Sequence, residues 1–380
     1  MNHRLLFLVL VIVVVTLGAC RKQAGSQQTA NSGASPTPDA PVGGSAPAGE
    51  KFYFRGTIAN NLRIELALLR DGTRLTGTYF YPKVGKNIAL AGTVEKDGNV
   101  ELKETDESGK DTGIFKGKWK PATDSPDPGL NEIEGKWSRP DGSKETAFLV
   151  SQQPIDFTAA ARVVPKVIKE TNKEKRYTVD AEYPQIEGDP RFDNFNREAR
   201  GLITKDVAAF KTAETAETTE DSEPGSELAD EAGKSSLDIW YEIRYASDDL
   251  ISVQFTEGEY SRGAAHPNSS TQVLNFDVKS GKKLALADLF NAKSSYLSAI
   301  SAYCIKVLKD KGKDDDMVKS GASPRADNYR AWSITKKGLW ITFDPYQVAS
   351  YAEGPQYVLV PYSALKDIIK PDGPLAALAR

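Results

Sequence analysis

Between residues 51 and 151, apolar and polar positions alternate in short runs, and turn dipeptides separate the runs. The runs are Lys51–Ile58, Leu62–Leu69, Arg74–Tyr81, Ile88–Val94, Val100–Lys103, Gly113–Trp119, Glu132–Trp137 and Thr146–Val150. Asp71-Gly72, Asp97-Gly98, Ser108-Gly109 and Asp141-Gly142 supply the turns. A period of two, broken this way, predicts consecutive hairpins. No stretch here has a helical period, so an antiparallel β meander or barrel is expected, closure being the simplest way to remove exposed edges. Tyr79, Phe80 and Tyr81 share one run and are read as alternating between core and surface, in preference to an exposed aromatic mouth.

Residues 152–166, with Pro154 and Pro165 near their ends, read as a connector, and the basic run Lys166–Arg176, with Glu170 and Glu174 interleaved, as a solvated strand or linker. A strand at Arg176–Tyr183 is expected to stop at Pro184. Phe192, Phe195, Ala199, Leu202, Ile203, Val207 and Phe210 recur at helical spacing, so Arg191–Lys211 predicts an amphipathic helix. Glu214–Glu231 holds eight acidic residues and no Lys or Arg, which predicts a solvated loop; it lacks the ligand alternation of a calcium loop. Strands follow at Leu237–Ser247, Leu250–Glu257 and Thr271–Asp277. A second helix is expected at Tyr296–Lys311, then strands at Trp332–Lys336, Leu339–Phe343 and Tyr357–Val360, and a short helix from Pro361 through Ile369. The chain is thus expected to be mostly β plus α+β, its C-terminal α+β part having two main helices.

The amino terminus adds a different signal. Arg4 precedes an apolar run, Leu5–Val15, too short to span a bilayer but suited to a signal peptide. Leu17-Gly18-Ala19-Cys20 resembles the lipobox of bacterial lipoproteins, which implies cleavage before Cys20 and acylation of its thiol. Residues 21–50 are rich in Ala, Gly, Ser and Pro; about thirty such residues form a flexible tether reaching roughly 30 Å. Arg21, in place of the aspartate linked with inner-membrane retention in some bacteria, favours the outer membrane where the envelope has two. The expected division is 1–19 leader, 20–50 acylated cysteine and tether, 51–151 β domain, then segments at 166–250 and 251–370.

Reactive side chains are scarce. The chain has two histidines and two cysteines; with His3 in the leader, His266 and Cys304 remain. Cys304 falls on an apolar helical stripe, where a buried inert thiol is expected. One histidine cannot assemble a zinc site or an acid–base pair alone. No Gly-Xaa-Ser-Xaa-Gly elbow or phosphate loop occurs, and Ser-Xaa-Xaa-Lys appears at Ser280–Lys283, Ser333–Lys336 and Ser363–Lys366, a recurrence typical of chance. A net charge of −3 and pI of about 5.7 give no basic face for nucleic acid. No cofactor, metal ligand or catalytic residue is expected.

The second half carries an ordered series of motifs. Tyr183-Pro184-Gln185-Ile186, ahead of Phe195-Asn196, resembles the opening of the domain that precedes catalysis in the peptidoglycan deacetylase PdaC, a DUF4163-like segment. Tyr260, Gly263-Ala264-Ala265-His266-Pro267-Asn268, Asn275-Phe276-Asp277-Val278-Lys279-Ser280-Gly281-Lys282, Leu286-Ala287-Asp288-Leu289-Phe290, Gly338-Leu339-Trp340-Ile341, Phe343-Asp344-Pro345-Tyr346-Gln347-Val348-Ala349 and Val360-Pro361-Tyr362 resemble the extracytoplasmic RsiV-like (DUF3298) domain of a lysozyme-sensing anti-sigma factor. The likeness spans roughly Arg176 to Ile369. It departs at Ala264, where the family has a second glycine, and the sequence shows no anti-sigma segment, transmembrane helix or deacetylase domain. The resemblance implies an envelope-tethered binding module for a protein or glycan, with a lysozyme-like protein or peptidoglycan as ligand; an unrecognised peptidoglycan hydrolase is the alternative. Tyr260, His266, Tyr346 and Tyr351 are the candidate binding residues, although a histidine that merely fixes its own loop is the plainer reading of His266.

Overall fold

Eight strands pair in chain order: β1 (Glu50–Ile58), β2 (Leu62–Asp71), β3 (Arg74–Phe80), β4 (Ile88–Val94), β5 (Asn99–Thr105), β6 (Asp111–Pro121), β7 (Asn131–Ser138) and β8 (Thr146–Gln153), and β8 closes on β1. The structure, a computed structural model, describes residues 49–122, 129–158, 161–216 and 233–380. The leader, Cys20, nearly all of the tether and residues 217–231 of the acidic run lie outside the described residues. The period-two pattern becomes a barrel because its apolar positions point inward: Phe52, Phe54, Leu66, Tyr79, Phe115, Trp119 and Phe148 form one core. Trp119 meets Phe52 and Phe54 edge-on at 4.8 and 5.2 Å. Phe80 faces outward beneath Arg162, 4.9 Å from its guanidinium, so Tyr79 and Phe80 alternate as the pleat requires. So small a barrel needs tightly curled strands. A Cβ on Gly92 would stand 1.9 Å from the Glu101 carbonyl oxygen, and one on Gly56 1.9 Å from that of Leu149. Only glycine admits such approach.

A seven-stranded sheet follows, built from β9 (Ile155–Asp156), β10 (Arg162–Asn172), β11 (Tyr177–Glu187), β12 (Ser235–Ser247), β13 (Leu250–Tyr260), β14 (Asn268–Asp277) and β15 (Lys282–Lys283). Helix α1 (Asp193–Ala216) crosses between the parallel pair β11 and β12, and its apolar stripe packs Phe195, Ala199, Ile203, Val207 and Phe210 onto Val179, Ala181, Ile239, Val253 and Phe255. Three expectations are corrected here. The expected connector holds β9 and the start of β10, the basic run takes the strand of its two readings as far as Asn172, and β11 passes through Pro184, opposite Pro165. Among the described residues, β11 pairs beyond Ala181 with β10 alone, so the missing N–H groups break no ladder on the other side. The helix also continues through Glu214, with Lys211 paired to Glu170 at 2.7 Å and the Thr215 hydroxyl bonded to the Lys211 carbonyl, so the first three residues of the acidic run are helical.

The last layer contains α2 (Tyr296–Asp310), the short α3 (Asp315–Gly321) and an antiparallel sheet of β16 (Trp332–Ile334), β17 (Gly338–Phe343) and β18 (Gln356–Pro361). Ile300, Cys304 and Leu308 of α2 share a core with Leu339, Ile341, Val358 and Val360. The sequence reading had not anticipated α3, whose cap Asp314 accepts the backbone N–H groups of Asp316 and Met317. The helix expected through Ile369 shrinks to a single 3₁₀ turn, Tyr362–Ala364, because Ile369 is drawn into a β-bridge with Phe290.

Charged residues dock the barrel on the large sheet. Arg55 of β1 donates to Glu65 of β2 at 2.8 Å, lies 4.3 Å over the Tyr241 ring and bonds its hydroxyl. Arg63 grips Glu182 of β11 with two N–H groups, one at 2.6 Å. Burial pushes the Glu65 carboxyl up to about 7, while the surrounding carboxylates hold Arg55 charged.

Two tests follow from this architecture. Gly92→Val forces a side chain into the Glu101 carbonyl and should lower stability by about 3 kcal/mol or more, read from urea unfolding; an unchanged midpoint contradicts the curled-barrel account. Glu65 holds its proton to about pH 7 when folded but to about 4.5 when unfolded. Its contribution is therefore complete below the lower value and is lost as the pH rises through the upper one. Glu65→Gln should flatten the fall in unfolding midpoint between about pH 4.5 and about pH 7; identical profiles in the two proteins contradict the assignment.

Candidate binding surface

Two loops build the surface, 261–267 between β13 and β14 and 344–355 between β17 and β18. They meet because the small sheet lies on the large one through buried polar bonds. The Ser252 hydroxyl donates to the Asn275 Oδ1 at 2.6 Å and accepts the Ile334 N–H at 2.9 Å, and the Asn275 amide donates to the Trp332 carbonyl at 2.8 Å. The Thr342 hydroxyl of β17 adds a bond to the Gln254 side chain of β13 at 3.3 Å.

At the end of β17 the chain turns sharply. The Gln347 N–H bonds the Asp344 carbonyl at 3.0 Å, with Pro345 and Tyr346 between them and Tyr346 at φ 68°. Proline followed by a left-handed residue is the pattern of a type II turn, whose third position favours glycine. The Gln347 side chain ties the turn to the carbonyls of Gly321 and Asn328, both at 3.0 Å, and Arg330 holds Asp344 at 2.7 Å. A tyrosine in this conformation costs on the order of 1 kcal/mol or more. Its ring recovers little by burial, being 58% exposed. Strain and exposure coincide.

The ring of Tyr346 packs on Tyr351 at 5.4 Å between centroids, and His266 stacks on Tyr351 at 4.1 Å with 30° between planes. The Tyr351 hydroxyl donates to the Pro267 carbonyl, joining the two loops. His266 Nδ1 lies 3.0 Å from that same carbonyl, which only accepts, so Nδ1 is the donor of this contact, and in the neutral ring Nε2 is left as an acceptor. Three of the four candidate residues are thus gathered. Tyr260, opposite Ser236 at the end of β13, makes no ring contact with the stack among the described residues.

Elsewhere the chemistry is quiet. Burial pushes the Cys304 thiol up to about 12, unlike an activated nucleophile. Among the described residues, no three His, Cys, Asp or Glu side chains gather in a metal-holding group, and no helix is long and apolar enough to cross a membrane. Sequence reasoning passed over two surface aromatics. Trp240 is 48% exposed, its ring lying across Gly258, and Tyr357 stacks on Trp340 at 5.5 Å. It also missed the strain at Tyr346, although Pro345 one position earlier was a readable signal.

Residues 170–269 match the family model described as deacetylase PdaC, and residues 287–363 match that of a protein of unknown function, DUF3298. The chain is 30% identical over 140 residues to the peptidoglycan-N-acetylmuramic acid deacetylase PdaC of Bacillus subtilis (strain 168), an alignment covering 36% of this chain. It spans only 30% of that relative's length. Among solved structures it is similar to a DUF3298 family member from Bacteroides fragilis (15% identity, 59% of this chain and 98% of that one, TM-score 0.40). A DUF3298 family protein from Pseudomonas aeruginosa is a comparable match (17% identity, 56% and 95% covered, TM-score 0.41). His266 lies in the first matched segment and Tyr346 and Tyr351 in the second. The chain therefore carries a PdaC-type segment followed by a DUF3298 segment, and the ring stack is where the two meet.

Proposed function

We propose that this is an extracytoplasmic cell-envelope protein, anchored by an acylated Cys20, whose C-terminal module binds a lysozyme-like protein or peptidoglycan through His266, Tyr351 and Tyr346. The two matched segments support the envelope location, and the named substrate of the Bacillus subtilis relative makes peptidoglycan a reasonable ligand. The apolar leader and Leu17-Gly18-Ala19-Cys20 support the anchor, and Arg21 favours an outer membrane where there is one. One observation carries the binding reading: Tyr346 is held in a backbone conformation that suits glycine, with its ring in solvent. Among the described non-glycine residues at positive φ, it is the one that carries an aromatic ring. Tyrosine rings are enriched among the residues that carry most of the energy of a binding interface.

Tyr346→Gly separates the two roles of the position. It should leave the fold intact and raise unfolding stability by up to about 1 kcal/mol. It should also weaken binding to purified sacculi or to lysozyme at least about tenfold, measured by cosedimentation and titration. Failure of the native chain to bind either, or equal affinity in the variant, contradicts the reading. So does release of muropeptides by the purified chain that is lost in a folded His266→Ala variant. For the anchor, palmitate labelling and membrane fractionation of cells making the chain should both be lost in Cys20→Ala; an unlabelled native chain contradicts it.

A further inference from the structure

We infer that the ligand of the ring stack is a β-linked glycan, held by pyranose C–H faces on the Tyr346 ring and by a sugar hydroxyl donated to His266 Nε2. The inference rests on the binding reading above and narrows it to one ligand chemistry.

The setting of the rings points this way. Besides the stack and Pro267, the residues exposed on the two loops are small or polar, Ser261, Gly263, Ala264 and Ala265 on one and Ser350, Ala352 and Glu353 on the other, with Arg262 half-buried between them on the first. Tyr346 is the only exposed large hydrophobic residue on either loop. A protein interface of ordinary size buries about 800 Å² on each side around a desolvated apolar centre. These loops offer no aliphatic surround to exclude water. A sugar asks for less. In a gluco-configured β-linked unit the ring hydroxyls are equatorial, which leaves both ring faces as C–H surfaces and directs the hydroxyls to the rim. One flat aromatic face and a few polar partners at its edge then suffice.

The hydrogen-bonding inventory agrees with such a rim. The Nδ1 hydrogen is committed to the Pro267 carbonyl, so in the neutral ring the outer nitrogen of His266 accepts and matches a hydroxyl donor. The Tyr351 hydroxyl is committed to the same carbonyl and fixes the middle ring, while Tyr346 extends beyond it into solvent. Lys313 is ion-paired with Glu353 at 2.6 Å, so that cation is not free to favour an anionic ligand at this edge.

The test uses the full chain and chitohexaose, a soluble β-1,4-linked N-acetylglucosamine oligomer, in isothermal titration, with lysozyme binding measured in parallel. Saturable chitohexaose binding is expected, weakened at least tenfold in Tyr346→Gly and severalfold in His266→Ala, with circular dichroism unchanged in both. Absent chitohexaose binding, with lysozyme bound by the native chain and lost in Tyr346→Gly, overturns the glycan inference and leaves the binding surface standing. Absence of both overturns the two together. Equal chitohexaose affinity in native chain and Tyr346→Gly also overturns the inference, since the sugar then lies elsewhere.

Discussion

The buried bonds of Ser252 and Asn275 are the constraint on which the C-terminal half depends. Both side chains are almost fully buried, at 0% and 2% exposure, and each must be satisfied inside the protein. They are satisfied by the edge of the other sheet, through the Ile334 N–H and the Trp332 carbonyl. Apolar contact alone would let two sheets slide; directional bonds fix their register, because a displaced partner leaves a buried polar group at a cost of about 1–3 kcal/mol. With β16 seated in this way against β13 and β14, residues 344–355 reach residues 261–267 where Tyr351 meets His266 and Pro267. Stacking of His266 on Tyr351 is a consequence of that seating, as is the joining of a PdaC-type segment to a DUF3298 segment in one surface.

Much of the architecture was legible because period and punctuation agreed. Every barrel strand was visible as an alternating run, and both long helices as apolar stripes. What failed to show was whatever depends on partners distant in sequence. The start of strand β10 was hidden by Pro165 in what reads as a connector, and its lysines left strand and linker both open, since an edge position tolerates them and a linker resembles them. The final helix gave way to a bridge between Phe290 and Ile369, which no local signal announces. Arg63 and Glu182 are 119 positions apart, and nothing near either names the other.

The candidate site divides along the same line. His266, Tyr346 and Tyr351 were singled out as scarce or aromatic residues in recognisable motifs, and they do converge. Tyr260 shared those motifs but stays on its own strand opposite Ser236, since β13 pairing fixes it there. The feature that gives the site its meaning is a backbone angle at Tyr346, to which composition is blind. Pro345 hinted at the turn without showing how far the following ring would stand in solvent.

Hydrogen exchange of the full chain, with and without muramidase-solubilised peptidoglycan, tests most directly that the two segments make one surface. The account predicts slowed exchange in residues 261–268 and 344–353 together, with the barrel strands unchanged. Protection of one loop without the other, or protection centred on the barrel, would contradict it.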